Sequence, residues 1–396
     1  MGSYLLDWLQ LLVRWFHLII GVAWIGASFY FIWVDNKLRP LRERAKVDKD
    51  VAIELWTIHA GAFHSTQQPR LEPGTLPNPL HWFEWEAYFT WISGFFLLCL
   101  IYYLGADVYL IDPRVAEIGV PAAITIGIGT LSAGWILYDH LCKCRFGGDG
   151  TFLTSALVVV AVAAAWGLCH VFSGRGAYIH FGAMFGTIMA GNVFFLIIPA
   201  QKELVRATLE LREPDPAYAE QAKRRSLHNT FFTFPVLFTM IRSHYPMTYG
   251  SPYNWLVLLA ISVAGAAMRL YFVARQTHTY TWPPLIAAVA TIIALIVGLA
   301  PAANRDAATV SADFAPVRSI VQARCVSCHS QSPTQPGVGE APKGVLLDTP
   351  ERIVQQAIQI DQQVASHVMP FGNLTGMTEG ERDAIARWVR NGTMGK

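Results

Sequence analysis

Charge is scarce in this chain: of its 396 residues only 30 are Lys or Arg and 28 are Asp or Glu, which leaves a net charge of +2. So neutral a composition excludes a nucleic-acid footprint, which needs a basic patch or stripe. Internal repeats and a glycine-rich phosphate loop are both absent, which argues against solenoids and nucleotide-binding folds. The first apolar run lacks the basic n-region and small-residue cleavage site of a secretory leader, and stays apolar too long for one. It therefore reads as a retained anchor. Cysteines number six without forming a disulfide framework. Cys99 and Cys169 fall in apolar runs and read as structural thiols, while Cys142 and Cys144 are too close together for an ordinary disulfide.

What replaces charge is apolar sequence, 53% of the chain, gathered into blocks long enough to cross a hydrocarbon layer about 30 Å thick. Eight blocks stand out, near residues 8–34, 84–105, 118–140, 151–173, 178–200, 229–246, 253–274 and 281–300. The expected fold class is all-α: a polytopic membrane bundle of about eight transmembrane helices followed by a small helical domain. Lys and Arg sort sharply between alternate connections. Residues 35–80, 141–150, 201–227 and 275–280 carry sixteen, and residues 106–117, 174–177 and 247–252 carry two. Because cationic loops stay in the cytoplasm, both termini are expected outside, in the periplasm of a bacterial inner-membrane protein.

The polar tail carries the most specific signal, Cys325-Val-Ser-Cys328-His329. Two thiols at i and i+3 match the two haem vinyl groups, and the adjacent imidazole supplies one axial ligand, so the spacing predicts covalent haem c. A zinc site would need a second Cys or His pair, and residues 301–396 hold none. The sixth iron ligand is expected at Met369, with His367 as a competitor and Met377 and Met394 as weaker candidates. A helix over about 313–324 and a capping box at Thr378 to Glu381, followed by Ile385, Trp388 and Val389 at helical spacing, complete a class I-like cytochrome c domain. The domain plan is thus 1–300 in the membrane, a linker at 301–316 and a cytochrome c domain at 317–396.

Histidines inside a membrane are costly unless paired or functional. His17, His170, His180 and His244 fall toward the outer half on four spans; His59, His64, His81, His140 and His228 fall toward the inner face. An outer pair could hold a haem b that relays electrons to haem c, with His17 the preferred ligand; interhelical hydrogen bonds explain the same residues without iron. The inner stretch from Trp56 through His59, His64, Gln67, Gln68 and Arg70 to His81-Trp-Phe-Glu84-Trp-Glu86 offers stacking faces and polar donors suited to a flat oxidisable substrate. His64, His81 or Glu84 would act as general base there. An interfacial Trp/His belt is the bland alternative. Asp139-His140 and His228-Asn229 line the same face.

The span from Arg14 to Phe31 resembles the opening helix of four-helix protoporphyrinogen oxidases. Taken together, RWFHLIIGVAWIGASFYFIWVDN at 14–36, LWTIHAGAFH at 55–64, HWFEWEAYFTWISG at 81–94, HNTFFTFPVLFTMIRSHYP at 228–246, and CVSCH with MPFGNLTGMT in the tail make the chain similar to the membrane-bound bacterial urate oxidases that carry a C-terminal cytochrome c domain. The resemblance implies oxidation of urate to 5-hydroxyisourate on the cytoplasmic side. Electrons would leave through Cys325, Cys328, His329 and Met369 toward cytochrome c oxidase or a soluble cytochrome c. Urate and membrane lipid are the expected partners. Two other readings stand beside it: a non-catalytic anchored electron carrier, and a quinol-oxidising cytochrome.

Overall fold

A computed structural model describes residues 2–47, 53–67, 76, 80–113, 115–241, 245–277, 281–299, 314–336, 338, 341–365 and 367–390. Gln68, Arg70, His244, Met394 and residues 301–313 of the expected linker lie outside them. The chain opens with α1 (Gly2–Val47), followed by a hairpin of β1 (Glu54–His59) and β2 (Ala62–Gln67). Then come α2 (Trp85–Leu98), α3 (Ala106–Tyr109), α4 (Val120–Lys143), α5 (Gly150–Cys169), α6 (Gly174–Asn192), α7 (Ile198–Leu209), α8 (Pro216–Ile241), α9 (Pro246–Tyr249), α10 (Asn254–Gln276) and α11 (Pro283–Gly298). The tail holds α12 (Phe314–Arg324), α13 (Pro350–Gln355), α14 (Ala357–Ala365) and α15 (Glu379–Arg390).

Among the described residues six helical runs are long and apolar enough to cross a membrane, not the eight expected. The block at 229–246 falls short because only the second half of α8 is apolar; its first half carries Lys223, Arg224 and Arg225. The last block forms α11, whose 16 residues rise only about 24 Å at 1.5 Å each. The expectation of an all-α chain is also corrected. Ala60 and Gly61, with φ of 52° and 78°, make the two-residue turn whose twist suits a hairpin, and β1 pairs antiparallel with β2 from Glu54 opposite Gln67 to His59 opposite Ala62. The signal was present in the β-branched and aromatic alternation around Ala-Gly, but it is only six residues long on each side.

α6 is the axis of the bundle, with Ala177, Tyr178, His180, Phe181, Met184 and Ile188 all buried. Glycine makes this possible at two close approaches. A Cβ at Gly127 would stand 2.6 Å from His180 Nε2, and one at Gly182 would overlap Thr239 Oγ1, so α4 and α8 can close onto α6 only where no side chain intervenes. The helical core continues past its ideal form twice, through π turns at Cys99–Tyr103 and Val193–Ile197.

The tail has its own core: Val317, Val321, Leu347, Ile353, Ile360, Val364, Met377, Ile385 and Trp388. The predicted start helix appears as α12, and the predicted capping box forms. Thr378 N donates to Glu381 Oε2 (2.7 Å) and Glu381 N donates back to Thr378 Oγ1 (3.3 Å). Arg382, itself buried, donates to the carbonyls of Val364 and Met369, each at 2.8 Å, and so ties α15 to the loop before it. That loop then docks on the bundle. Phe371 packs edge-on against Tyr109 with ring centres 4.9 Å apart, the Arg175 guanidinium lies 4.8 Å over the Phe371 ring, and Val368 joins the bundle core. The tail therefore sits at the end of the bundle where α3 follows α2 and α6 begins, the end assigned by charge to the outside.

Thr378→Ala removes half of the capping box and should cost the tail about 1 kcal/mol, read as faster amide exchange across α15. Acid should do the same. The Thr378 backbone N–H, then Arg324, hold the Glu381 carboxyl below its ordinary 4.5. Its contribution is therefore present above that value and is lost as pH falls through the lower folded one. Asp361, raised by burial, acts in the opposite sense, so exchange in α15 should accelerate more on acidification in the parent than in Glu381→Gln.

Candidate functional site

Polar side chains from α4, α6 and α8 meet where those helices cross toward the end opposite the tail. Arg225, only 2% exposed, donates to Asp139 Oδ1 (2.8 Å) and Asn192 Oδ1 (3.3 Å), and its guanidinium stacks 4.8 Å over the Tyr138 ring. Asn192 donates to Tyr138 Oη (3.0 Å) and to Asn229 Oδ1 (2.8 Å), and Asn229 donates to the Met189 carbonyl (3.0 Å). Tyr138 Oη, accepting from Asn192, is left to donate to His228 Nδ1 at 2.9 Å. That fixes the proton of neutral His228 on Nε2. The chemical capacity of the cluster follows: a fixed cation, amide donors, and a hydroxyl-to-imidazole step able to hand on a proton. Sequence reasoning had flagged Asp139 with His140 and His228 with Asn229 but missed Tyr138, Asn192 and Arg225. Arg225 at i−3 from His228 shares its helix face, which was the available signal.

The candidate bases are placed separately. His64 lies on the exposed β2, where its Nε2 approaches the His59 carbonyl at 3.3 Å and the two rings are 6.4 Å apart. His81 stacks edge-on against Phe83 at 4.6 Å. Glu84 is the residue before α2, and its Oε2 accepts from Tyr88 Oη at 3.2 Å. Chain order puts all three at the same end of the bundle as the Arg225 cluster, yet among the described residues no hydrogen bond or ring contact joins His64 to His81 or Glu84.

In the outer layer, Ser93 Oγ donates to the Phe89 carbonyl (2.6 Å) and accepts from His17 Nδ1 (2.9 Å), so His17 Nε2 carries the lone pair. His180 is fully buried, donates from Nδ1 to Gly176 O (2.8 Å) and accepts from Tyr103 Oη at Nε2 (3.2 Å). His170 is exposed, bonded to its own helix at Trp166 O (2.7 Å). Among the described residues no hydrogen bond or ring contact joins two of these imidazoles. The cysteines outside the tail motif are free thiols, Cys142 and Cys169 buried.

The tail motif does fit covalent haem. His329 Nδ1 donates to the Val345 carbonyl at 3.0 Å, which fixes the ring and leaves Nε2 as the metal-binding nitrogen. Cys325 and Cys328 follow α12 in a tight turn closed by Cys328 N to Cys325 O (3.1 Å) and His329 N to Cys325 O (2.9 Å). Of the methionines, Met377 is consumed by the tail core at 3% exposure, while Met369 keeps a partly open side chain on a backbone clamped through Met369 N to Gln363 O (2.9 Å). His367 turns toward Glu379, 3.8 Å away.

These features define a polytopic helical protein of membrane type, with a buried polar cluster at one end and a small helical unit docked at the other. Residues 3–300 match the family described as Urate oxidase N-terminal, and the chain belongs to that family, whose membership ties it to urate and to the oxidoreductases. Neither curated proteins nor solved structures give a match.

Asp139 sits between two cations of unequal burial, Arg225 at 2% and Lys143 at 57% side-chain exposure. Asp139→Ala strands a buried guanidinium and should cost about 3 kcal/mol or more, whereas Lys143→Ala should cost less than about 1 kcal/mol. Thermal unfolding of the two purified variants in one detergent checks the difference.

Proposed function

We propose that this protein oxidises urate to 5-hydroxyisourate at its cytoplasmic face and passes the electrons through haem c in its periplasmic tail to cytochrome c oxidase or a soluble cytochrome c. The observation that carries the reading is the joining, in one chain, of a urate oxidase family region at 3–300 with a Cys325-Val-Ser-Cys328-His329 tail. The balance is urate plus water giving 5-hydroxyisourate, two protons and two electrons. Cys325 and Cys328 would hold the haem by thioether bonds, and His329 and Met369 would ligate its iron. When bound, it supplies a one-electron acceptor.

The residues around it have assignable work. His64, His81 and Glu84, at the cytoplasmic end, are the bases proposed to take a ring N–H or water proton. Tyr138 and His228 form a second route for protons toward the same face. Arg382 holds the Met369 backbone, and Phe371 lays the tail on Tyr109. From Tyr109 a row of rings leads inward, Tyr102 at 5.9 Å and then His180 at 6.4 Å from Tyr102. The charge bias supports an outside position for this docked end, where covalent haem attachment takes place.

Added anaerobically to air-oxidised protein, urate should produce the reduced c-type visible spectrum, while xanthine and allantoin should not. Full reduction by dithionite with none by urate would refute the reading. Phe371→Ala should slow urate-driven reduction several-fold without changing the reducible haem measured by dithionite titration, and an unchanged rate would remove the docking contact from the electron route.

A further inference from the structure

Two charged residues lie at the inner half of the bundle without satisfied side chains, and neither belongs to the Arg225 cluster. Arg269 of α10 is 3% exposed, and its Nε and Nη2 have no hydrogen-bond partner among the described residues. Its guanidinium lies 4.4 Å over the Phe29 ring of α1, which itself stacks on Phe234 of α8 at 6.3 Å. Glu86 of α2 has a buried Oε2 that likewise lacks a partner. No ion pair joins the two.

Their placement follows from the packing of α1 on α2. His17 fits against Gly94, and Gly21 against Thr90, so the two helices run antiparallel with contacting positions moving in steps of four. The same register brings Glu86 level with Ile25, one turn from Phe29, where Arg269 rests. A donor group and an acceptor group of opposite formal charge thus flank the same stretch of α1 and remain apart.

The identity of the open atoms restricts what could satisfy them. Nε and Nη2 are the two nitrogens on one side of the guanidinium, the edge that meets two adjacent acceptor atoms in a plane. A buried donor pair left open is costly, more so in a hydrocarbon layer, so a group that meets it gains accordingly. A hydrophobic contact cannot meet it, and a lone water can take only part of it. A flat anion with neighbouring oxygen and nitrogen acceptors on one edge and an N–H on another can meet both Arg269 and Glu86.

We infer that Arg269 and Glu86 form the recognition site for a planar, acidic, N–H-bearing heterocycle, with urate as the ligand under the reading above, on which this assignment rests. Arg269 takes the acceptor edge, Glu86 Oε2 takes an N–H, and Phe29 supports the guanidinium plane from below. The site lies on the half of the bundle that holds Glu84 and the Arg225 cluster, two residues before Glu86 in one case and across α8 in the other.

The test is equilibrium dialysis of radiolabelled urate against the full-length haem-loaded protein in lipid nanodiscs, without an electron acceptor, so that binding is read apart from turnover. Arg269→Lys keeps the charge but loses the two-pronged edge and should weaken urate binding at least about tenfold, equivalent to 1.4 kcal/mol. Glu86→Gln should weaken urate more than it weakens a carboxylate lacking N–H groups. Arg269→Ala should regain part of its affinity when guanidinium ion is added, which separates loss of the group from loss of the fold. Unchanged affinity in Arg269→Lys, alongside normal urate-driven haem reduction, would overturn the site while leaving the proposed function standing. Loss of bound phospholipid in that variant with unchanged urate binding would overturn it in favour of a lipid phosphate. A parent protein that neither binds urate nor is reduced by it would sink the enzyme reading first.

Discussion

A guanidinium inside a low-dielectric helical bundle must be neutralised where it stands, and in this protein the packing of three helices is organised around that requirement. Arg225 reaches Asp139 on α4, Asn192 on α6 and the face of Tyr138, so one side chain fixes the relative height of α4, α6 and α8. Each of those partners is used again. Tyr138 bridges Asn192 and His228, and Asn229 is tied to both Asn192 and the Met189 carbonyl. Fully satisfied networks of this kind are rigid, because moving any member strands another. The π turn beginning at Val193 directly after Asn192 is consistent with that, since it rotates the following residues without moving the amide out of the cluster.

The same constraint explains why polar groups segregate to the two ends. Between them, α6 packs through Phe181, Met184, Phe185 and Ile188, and glycines admit its neighbours closely. His180, in the outer layer, is tolerated although fully buried because both ring nitrogens are occupied, one by its own helix and one by Tyr103. Arg269 and Glu86 break the pattern, and the ligand proposed above would restore it.

Local signals were legible in the chain wherever chemistry and spacing coincide over a few residues. The Thr378 to Glu381 capping box and the helix ending at Arg324 were both readable because each depends on neighbours within one or two turns. Apolar length was legible for six spans, whose neighbours need not be known. It failed for α8, where Arg225 enters the bundle as a buried partner for Asp139 rather than lying in a loop; that pairing spans 86 positions. The β1–β2 hairpin was missed because its strands are short and exposed, with Trp56, Ile58 and Phe63 all open, so the usual inside-outside alternation is lost. His64, His81 and Glu84 were selected for their chemistry alone, and chemistry does not carry distance.

The docking loop joins the two ends of the argument. Met369, Pro370 and Phe371 are consecutive, and Arg382 holds the carbonyl of the first while Tyr109 and Arg175 hold the ring of the last. Under the proposed reading the axial ligand and the docking surface are therefore one short segment. A shift of the tail across α3 would be felt at the Met369 sulfur before it was felt at His329, whose imidazole is anchored to Val345 inside the tail. The two proposed ligands would thus differ in kind: His329 is held by the tail's own fold, and Met369 also rests on the bundle beneath it. Under that reading the potential of the acceptor would respond to contact with the bundle, since thioether ligation raises it.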